Sequence, residues 1–578
     1  MNKYIQSLVL IIIAITLYFN TINNEFIMDD IPHIKNNPTL SDLSSFYSST
    51  RWIGMHTFKI NYYFHKLNVE GYHIINILIH IVNSFLILSL INLIINTSNT
   101  FKKNNSHYQY FAFLVALFFI SHPIQTQAVT YIIQRLASLA CMFYLLVLIS
   151  YIKARESVTY TKYVYISFFL LFLISGLFTK EIMYTVPLMI LIIEILFFKN
   201  IIQYKKSIFK NWVPIFFITL IILGIFTSFY NLDGIFLEQY SKKLGVFISP
   251  YKYFITQIHV IFLYLRLLIL PVNQMFDYVY PISHSFFTIK PIISMFGLVL
   301  ILSITKYLYC KNYKIEVFGI LWFFITLSIE STIIPLADIV FEHRLYLPSI
   351  GFFILLSSLL LRLHKKYVSK IIICLILVLL LGYSIATYKR NLIWNTQISL
   401  WSDNIIKSPK NPIPYLARGK EYFRIRKYNN AIDDFTSALE LNPNLVQIIG
   451  ERGTAYDRNN MYEQAISDYS QMVNLNERES DKWFRKIAIL YSKKLDYNKS
   501  LIYWNKAIKV KPCHYKYYIS RGINYRDLGF GDKAIDDFKK AVFLDKKSLD
   551  EITKYVGINL FNNQLISVNK DLQFCKSN

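Results

Sequence analysis

Long apolar runs fill residues 1–388 and stop there; from 389 onward apolar residues return only at helical spacing among charged neighbours. About 20 apolar residues cross the hydrocarbon of a bilayer as a helix. The runs of that kind are 5–22, 74–96, 108–121, 136–152, 162–178, 182–198, 212–230, 253–270, 292–309, 315–334, 347–363 and 369–388. The first has no A-x-A-like cleavage site and is followed by more runs of spanning length, so it reads as an uncleaved span rather than a signal peptide. Lys and Arg stay on the cytoplasmic side of membrane proteins. The basic tracts 97–107, 153–162, 199–211 and 364–370 therefore place the N-terminus inside and the C-terminal third outside. Twelve crossings violate that count, because they return the C-terminus to the cytoplasm and expose Lys311 and Lys314 on the wrong side. The weakest run is 253–270, which carries Gln257, His259 and Arg266. A central Arg costs about 2.5–3.5 kcal/mol on insertion. Read as an interfacial or re-entrant segment on the outer face, this run leaves about eleven spans.

The C-terminal pattern repeats every 34 residues or so, the period of the tetratricopeptide helix–turn–helix unit. The first unit shows Tyr415, Gly419, Tyr422, Tyr428, Ala431, Phe435, Ala438 and Pro443. The second has Gly453, Tyr456, Tyr462, Ala465 and Tyr469, and the third has Ala488, Tyr491, Tyr497, Trp504 and Ala507 after one extra residue. The fourth has Gly522, Tyr525, Ala534, Phe538 and Ala541. Leu400, Trp401 and Pro409 fit the second half of a further repeat. The chain thus reads as all-α: a polytopic membrane bundle over 1–388, a linker with a half-repeat over 389–411, four repeats over 412–548 that form an α-solenoid, and a capping helix and tail over 549–578. A repeat array implies a protein partner, but the positions expected along its groove carry no uniform charge code.

Composition agrees with this division. Hydrophobic residues make up 54% of the chain and charged residues 17%, against about 25% charged in soluble domains. The formal charge of +25 invites a nucleic-acid reading. Many of the basic residues sit in the short tracts between apolar runs, and no nucleic-acid motif accompanies them. The bilayer, not nucleic acid, is the partner this charge points to. Cys141, Cys310, Cys374, Cys513 and Cys575 show no CxxC or ligand spacing, so neither a disulfide framework nor a zinc site is expected.

Polar residues stranded beside apolar runs carry the chemistry, since each is costly without a partner or a task. Asp29 and Asp30 follow the first span in FIMDDIPHIKNNP. Such a pair caps a turn, supplies a general base or holds a divalent cation. His73, Asn76, His80, Asn83 and Ser84 share one helical face and point into the bundle, as interhelical hydrogen-bonding groups or, for His73 nearest the outer face, as part of a site. His122, Gln125, Gln127 and Arg135 fall in HPIQTQAVTYIIQR, Lys180 and Glu181 in TKEIMYTVP, and Glu342, His343, Arg344 and Tyr346 in FEHRLYLPSIG. Outward cations beside carboxylates in three loops suit an anionic lipid headgroup; mutual salt bridges, such as Lys180 with Glu181 or Glu342, are the structural alternative.

These segments, with YHIINILIH and RNLIWNTQISLW and in the same order over nearly the whole chain, resemble the transmembrane and tetratricopeptide repeat-containing O-mannosyltransferases and their bacterial relatives. The resemblance implies the C-type glycosyltransferase fold and a donor sugar on a polyprenyl or dolichyl phosphate. It implies Asp29 or Asp30 as the base toward a Ser/Thr hydroxyl of the acceptor, with Arg135, Lys180 and Arg344 facing the leaving phosphate. His73, His122, Glu181, Glu342 and His343 complete the expected donor-binding set. Two departures stand out: Gln127 replaces a Glu of the animal members, and Arg51-Trp52-Ile53 replaces a more usual RPL. No cofactor is expected, and a divalent cation, though possible beside two carboxylates, has no support. The Asn-, Lys- and Ile-rich composition points to a bacterial inner membrane with extracytoplasmic repeats, the endoplasmic reticulum with luminal repeats being the alternative. The implied partners are the lipid-linked sugar, an acceptor protein captured by the repeats, and the bilayer. A non-enzymatic scaffold is a rival reading, yet an anchor needs one span. A polysaccharide polymerase or ligase is another, yet here the outer loop 335–346 is short and the acids come early.

Overall fold

The computed structural model describes residues 3–42, 50–97, 110–158, 160–198, 239–241, 246–331, 335–336, 338–366, 369–475, 480–545 and 547–556. The chain divides into two compact units, Met1–Lys407 and Ser408–Asn578. Both are helical; the described strands are Gln239–Ser241 and Val246–Ile248, one short antiparallel ladder.

In the first unit, α1 (Lys3–Tyr18), α2 (Trp52–His65), α3 (Val69–Thr97), α4 (Phe111–Ser121), α5 (Thr126–Thr130) and α6 (Arg135–Glu156) are followed by α7 (Tyr160–Leu177) and α8 (Val186–Phe197). Then come α9 (Pro250–Ile269), α10 (Ile289–Cys310), α11 (Lys314–Leu327), α12 (Ser349–Lys366), α13 (Ser369–Ile393) and α14 (Gln397–Lys407). Among the described residues, seven helices are long and apolar enough to cross a membrane, or eight if the bent pair Phe111–Ser121 and Pro123–Thr130 counts as one span. The unit is that of an integral membrane protein. The expected run 212–230 lies outside the described residues. Run 182–198 opens instead as a 3-10 turn, Glu181–Thr185, before α8 begins at Val186-Pro187.

α9, where the sequence reading has an interfacial or re-entrant segment, is a continuous 20-residue helix, long and apolar enough to cross a membrane. Of its polar residues, Gln257 donates to the Ile339 carbonyl at 2.9 Å, His259 Nε2 lies 3.3 Å from the Ser283 hydroxyl, and Arg266 sits exposed in the last turn, where a long side chain can reach the interface.

The polar face of α3 makes hydrogen bonds inside the bundle. Asn76 donates to the Val129 and Ile132 carbonyls, His80 Nδ1 lies 2.7 Å from the Tyr346 hydroxyl, and Asn83 donates to the Ser138 carbonyl. α11 and α12 cross with their backbones in contact. A Cβ on Gly319 would lie 2.7 Å from the Gly351 carbonyl, so glycine is required there for van der Waals reasons.

Of the segment read as a half-repeat, Leu400 and Trp401 belong to the first unit and Pro409 to the second. Trp401 on α14 packs edge-on against Phe276 at 5.4 Å, and Asn404 Oδ1 accepts from the Phe276 N–H at 3.0 Å.

The second unit stacks α15 (Pro412–Arg424) with α16 (Tyr428–Leu441), α17 (Val446–Arg458) with α18 (Tyr462–Leu475), α19 (Ser480–Lys493) with α20 (Tyr497–Val510), and α21 (Tyr515–Asp527) with α22 (Gly531–Leu544). α23 (Ser548–Val556) closes the array by burying Ile552 against the last pair, as a cap must. Within three of the four pairs the first helix sends an Arg to an Asp of the second in a two-point ion pair: Arg418–Asp434, Arg452–Asp468 and Arg521–Asp537. The third pair replaces it with Ile487, fully buried, and Tyr503. Contrary to the cysteine reading, Cys513, just before α21, is disulfide-bonded, while Cys141, Cys310 and Cys374 are free.

Candidate active site

The turn after α1 sets the site. Met28 adopts φ +45°, an uncommon conformation for a residue with a side chain, and this reversal sends Asp29 and Asp30 in different directions. Asp29 is exposed, and its backbone N–H donates to the Tyr131 hydroxyl at 2.8 Å. Asp30 is fully buried and accepts from the Ile27 and Ile133 N–H groups at 3.2 and 2.8 Å, tying this turn to the loop before α6. Burial pushes the Asp30 carboxyl up to about 8, against the two N–H groups and helped by the neighbouring charge of Asp29. Asp30 is therefore a buried bridging group, set apart from the exposed Asp29 with which the sequence reading paired it.

Asp29 opens onto a cavity of about 440 Å³ that also receives His33, Arg51, Lys180, His343 and Arg344. Lys180, in the turn between α7 and α8, pairs with Glu330 at 2.7 Å. Burial works to raise Glu330, but Lys180 and then Arg344 prevail and hold it below its ordinary range. Arg344 stands on the 3-10 turn Glu342–Leu345 and donates to the Ile339 and Asp338 carbonyls at 3.0 and 2.8 Å. Its charge is held up by Tyr253, Tyr264, Glu330 and Asp338, which outweigh burial. His343 stacks obliquely on Phe341 at 5.0 Å, and its Nδ1 is buried with no hydrogen-bond partner. Burial first, then Lys180, Arg344 and Arg51, drive its pKa well below the usual imidazole range, so it is neutral. Its backbone N–H donates to Gln127 Oε1 at 2.7 Å. Gln127 thus positions the loop, a task a carbonyl oxygen performs as well as a carboxylate would.

Of the residues the sequence nominated, Asp29, Lys180, His343 and Arg344 converge on this cavity, and the others do not. Arg135 is consumed structurally: a buried guanidinium with five donors needs acceptors. It finds Asn76 Oδ1 at 2.6 Å, Asn61 Oδ1 at 2.7 Å and the Tyr72 carbonyl at 3.0 Å, with Phe58 beneath at 4.4 Å. It fastens α2 and α3 to α6 and does not reach the cavity. His73 is spent on the Asn24 carbonyl and His122 on the Leu268 carbonyl and the Ile124 N–H. Glu181 holds Arg51 through both carboxylate oxygens at 2.9–3.0 Å. Glu342 accepts from Tyr278 at 2.7 Å and Gln274 at 3.1 Å, with Arg390 3.9 Å away. Burial raises Glu342 despite Arg390.

The sequence reading missed His33, Glu330 and Asp338 and left Arg51 in doubt. Glu330 had a visible signal, a lone acid at the end of an apolar run; His33 and Asp338 lie in loops where nothing in the pattern distinguishes them. Among the described residues no group of three His, Cys, Asp or Glu is placed to hold a metal ion.

The arrangement offers a carboxylate opposite clustered cations and a neutral imidazole, in a pocket of small-ligand size. A tetratricopeptide-repeat family model matches residues 414–445. The chain is 25% identical over 472 residues to Protein O-mannosyl-transferase F38B6.6 of Caenorhabditis elegans, covering 76% of this chain and 63% of the relative. It is 30% identical over 167 residues to human Protein O-mannosyl-transferase TMTC2, covering 26% of this chain and 19% of the relative. Human TMTC4 is 32% identical over 170 residues, covering 25% and 22%. The chain thus spans less than two thirds of the length of the curated relatives it matches. Among solved structures, a crystal structure of MamA covers 26% of this chain and 89% of its own, at 24% identity and a TM-score of 0.25.

Proposed function

We propose that this relative of the transmembrane and tetratricopeptide repeat-containing O-mannosyl-transferases moves a sugar from a polyprenyl-phosphate carrier to Ser or Thr hydroxyls of proteins on the extracytoplasmic face. The observation that carries the reading is the single cavity in which Asp29 meets Lys180, Arg344 and Arg51. An exposed carboxylate can take the proton of an acceptor hydroxyl. The hydroxyl oxygen forms the new bond to the anomeric carbon as the bond to the carrier phosphate breaks, and the configuration inverts. Charge then grows on the phosphate, where fixed cations stabilise it most. Arg344 is best suited, because its fork is held by two carbonyls and its charge is maintained. The neutral His343, with an unpartnered ring nitrogen, suits a sugar hydroxyl.

The names of the relatives make mannose the first sugar to test, and the repeats the element that engages the acceptor. The disulfide at Cys513 supports an oxidising compartment for the repeat unit, whether periplasm or endoplasmic reticulum lumen. The deciding experiment supplies purified protein in nanodiscs with labelled polyprenyl-phosphate sugars and a mixed protein extract. Base-labile sugar on Ser or Thr supports the proposal. No transfer from any carrier, with intact folding, would sink it and favour a scaffold.

A further inference from the structure

The repeat unit carries a second cavity, of about 600 Å³, between α19, the loop before α21, and α23. Four cations line it, Lys482, Arg485, Lys511 and Lys516, against two carboxylates, Asp481 and Glu551. One carboxylate is already engaged, since Tyr517 donates its hydroxyl to Asp481 at 2.6 Å. Tyr517 in turn lies flat on His514, the ring centres 4.1 Å apart and the planes 10° from parallel. The wall is therefore His514 backed by a buried Tyr517, with cations around its rim, and Lys511 and Lys516 are exposed. His514 feels the same field: burial first, then Lys511, lowers its pKa. Trp504 contributes a buried indole N–H with no hydrogen-bond partner to the same wall. A donor-rich, positively charged, aromatic hollow on a helical solenoid fits an extended peptide bearing carboxylates.

We infer that this pocket binds an acidic, extended protein segment, with Arg485, Lys511 and Lys516 recognising its carboxylates and His514, backed by the buried Tyr517, packing on its backbone. The chain's own residues 557–578 are not that segment by charge, since they hold Lys570 and Lys576 against Asp571. The inference goes beyond sugar transfer and stands whether or not the membrane unit is an enzyme.

The test is fluorescence anisotropy with the full chain in nanodiscs and short labelled peptides of alternating Glu and Ser, or of Gln and Ser. The Glu peptide should bind about tenfold tighter, and the Lys511→Glu/Lys516→Glu double variant should lose about tenfold while melting like wild type. Arg485→Glu should also weaken binding, and Arg485→Lys should retain most of it. Rising salt should loosen the complex. Equal affinity for both peptides, or an unchanged double variant, would overturn the inference. So would tighter binding of a labelled oligoribonucleotide through the same lysines, which would make the pocket a nucleic-acid site.

Discussion

Replacing Asp30 by Asn exposes the balance between two opposing effects at this carboxyl. The ionised form is favoured by two backbone N–H groups and opposed by complete burial. Burial wins, and the proton is held up to about pH 8, whereas an unfolded Asp releases it near 3.8. Between those values the folded chain binds one more proton than the unfolded chain, so this site lowers stability progressively as pH rises from about 4 to 8. At about 1.4 kcal/mol per unit, the penalty at pH 7 is about 4 kcal/mol. Asn has the shape of the protonated acid and one oxygen still accepts, but its NH2 cannot accept the second N–H, whereas the acid's hydroxyl oxygen can. That mismatch costs Asn about 1–3 kcal/mol that the protonated acid does not lose. Asp30→Asn should accordingly be more stable than wild type by about 1–3 kcal/mol at pH 7 and less stable by about 1–3 kcal/mol near pH 4. Its stability should be flatter across that range. Thermal unfolding of detergent-solubilised protein, followed by tryptophan fluorescence at a series of pH values, measures this. A variant that is less stable at pH 7, with the same pH slope as wild type, would refute the reasoning and show that the two N–H bonds outweigh burial.

Other substitutions test neighbouring parts of the account. Arg344→Met should lower transfer by about 100-fold in a single-turnover assay with lipid-linked sugar, while Arg135→Met should unfold the α2–α3–α6 junction and fail on melting rather than on chemistry. Gly351→Leu should force α11 and α12 apart, costing more than about 3 kcal/mol by overpacking and showing as loss of monodisperse protein on gel filtration. Asp468→Asn should cost the repeats about 2–3 kcal/mol through the stranded Arg452, with Arg452→Met in the same chain restoring part of it. Cys513 should resist maleimide labelling from either side of sealed vesicles until reductant is added, and then label only from the side of the repeats.

The membrane-and-repeat architecture was readable because it depends on periodicity. Apolar runs of spanning length and the aromatic and small-residue register of the repeats follow directly from how helices bury area. Where tertiary context decides, the pattern was less informative. Asp29 and Asp30 are adjacent and chemically identical, and only the left-handed Met28 between Ile27 and the pair assigns one to the cavity and the other to the interior. Arg135 looked like a phosphate ligand because an Arg beside an apolar run must have a reason to be there. The reason is a cage of carbonyl and amide oxygens from α2 and α3, which lie 59 to 78 residues away in the chain. Arg51, Glu330 and Lys180 form pairs across long sequence separations, such as the 130 residues between Arg51 and Glu181, which no local spacing reveals. Likewise, Gln257 on α9 reaches the Ile339 carbonyl 82 residues away, a partner no local pattern reveals.

The central claim is that Asp29, and not Asp30, receives the acceptor's proton. The most direct measurement is transfer from labelled polyprenyl-phosphate mannose by wild type, Asp29→Asn and Asp30→Asn at equal folded concentration. The account predicts that Asp29→Asn binds the carrier as wild type does but transfers at least about 100-fold more slowly, while Asp30→Asn transfers at close to the wild-type rate. Loss of transfer in Asp30→Asn with Asp29→Asn active would contradict it.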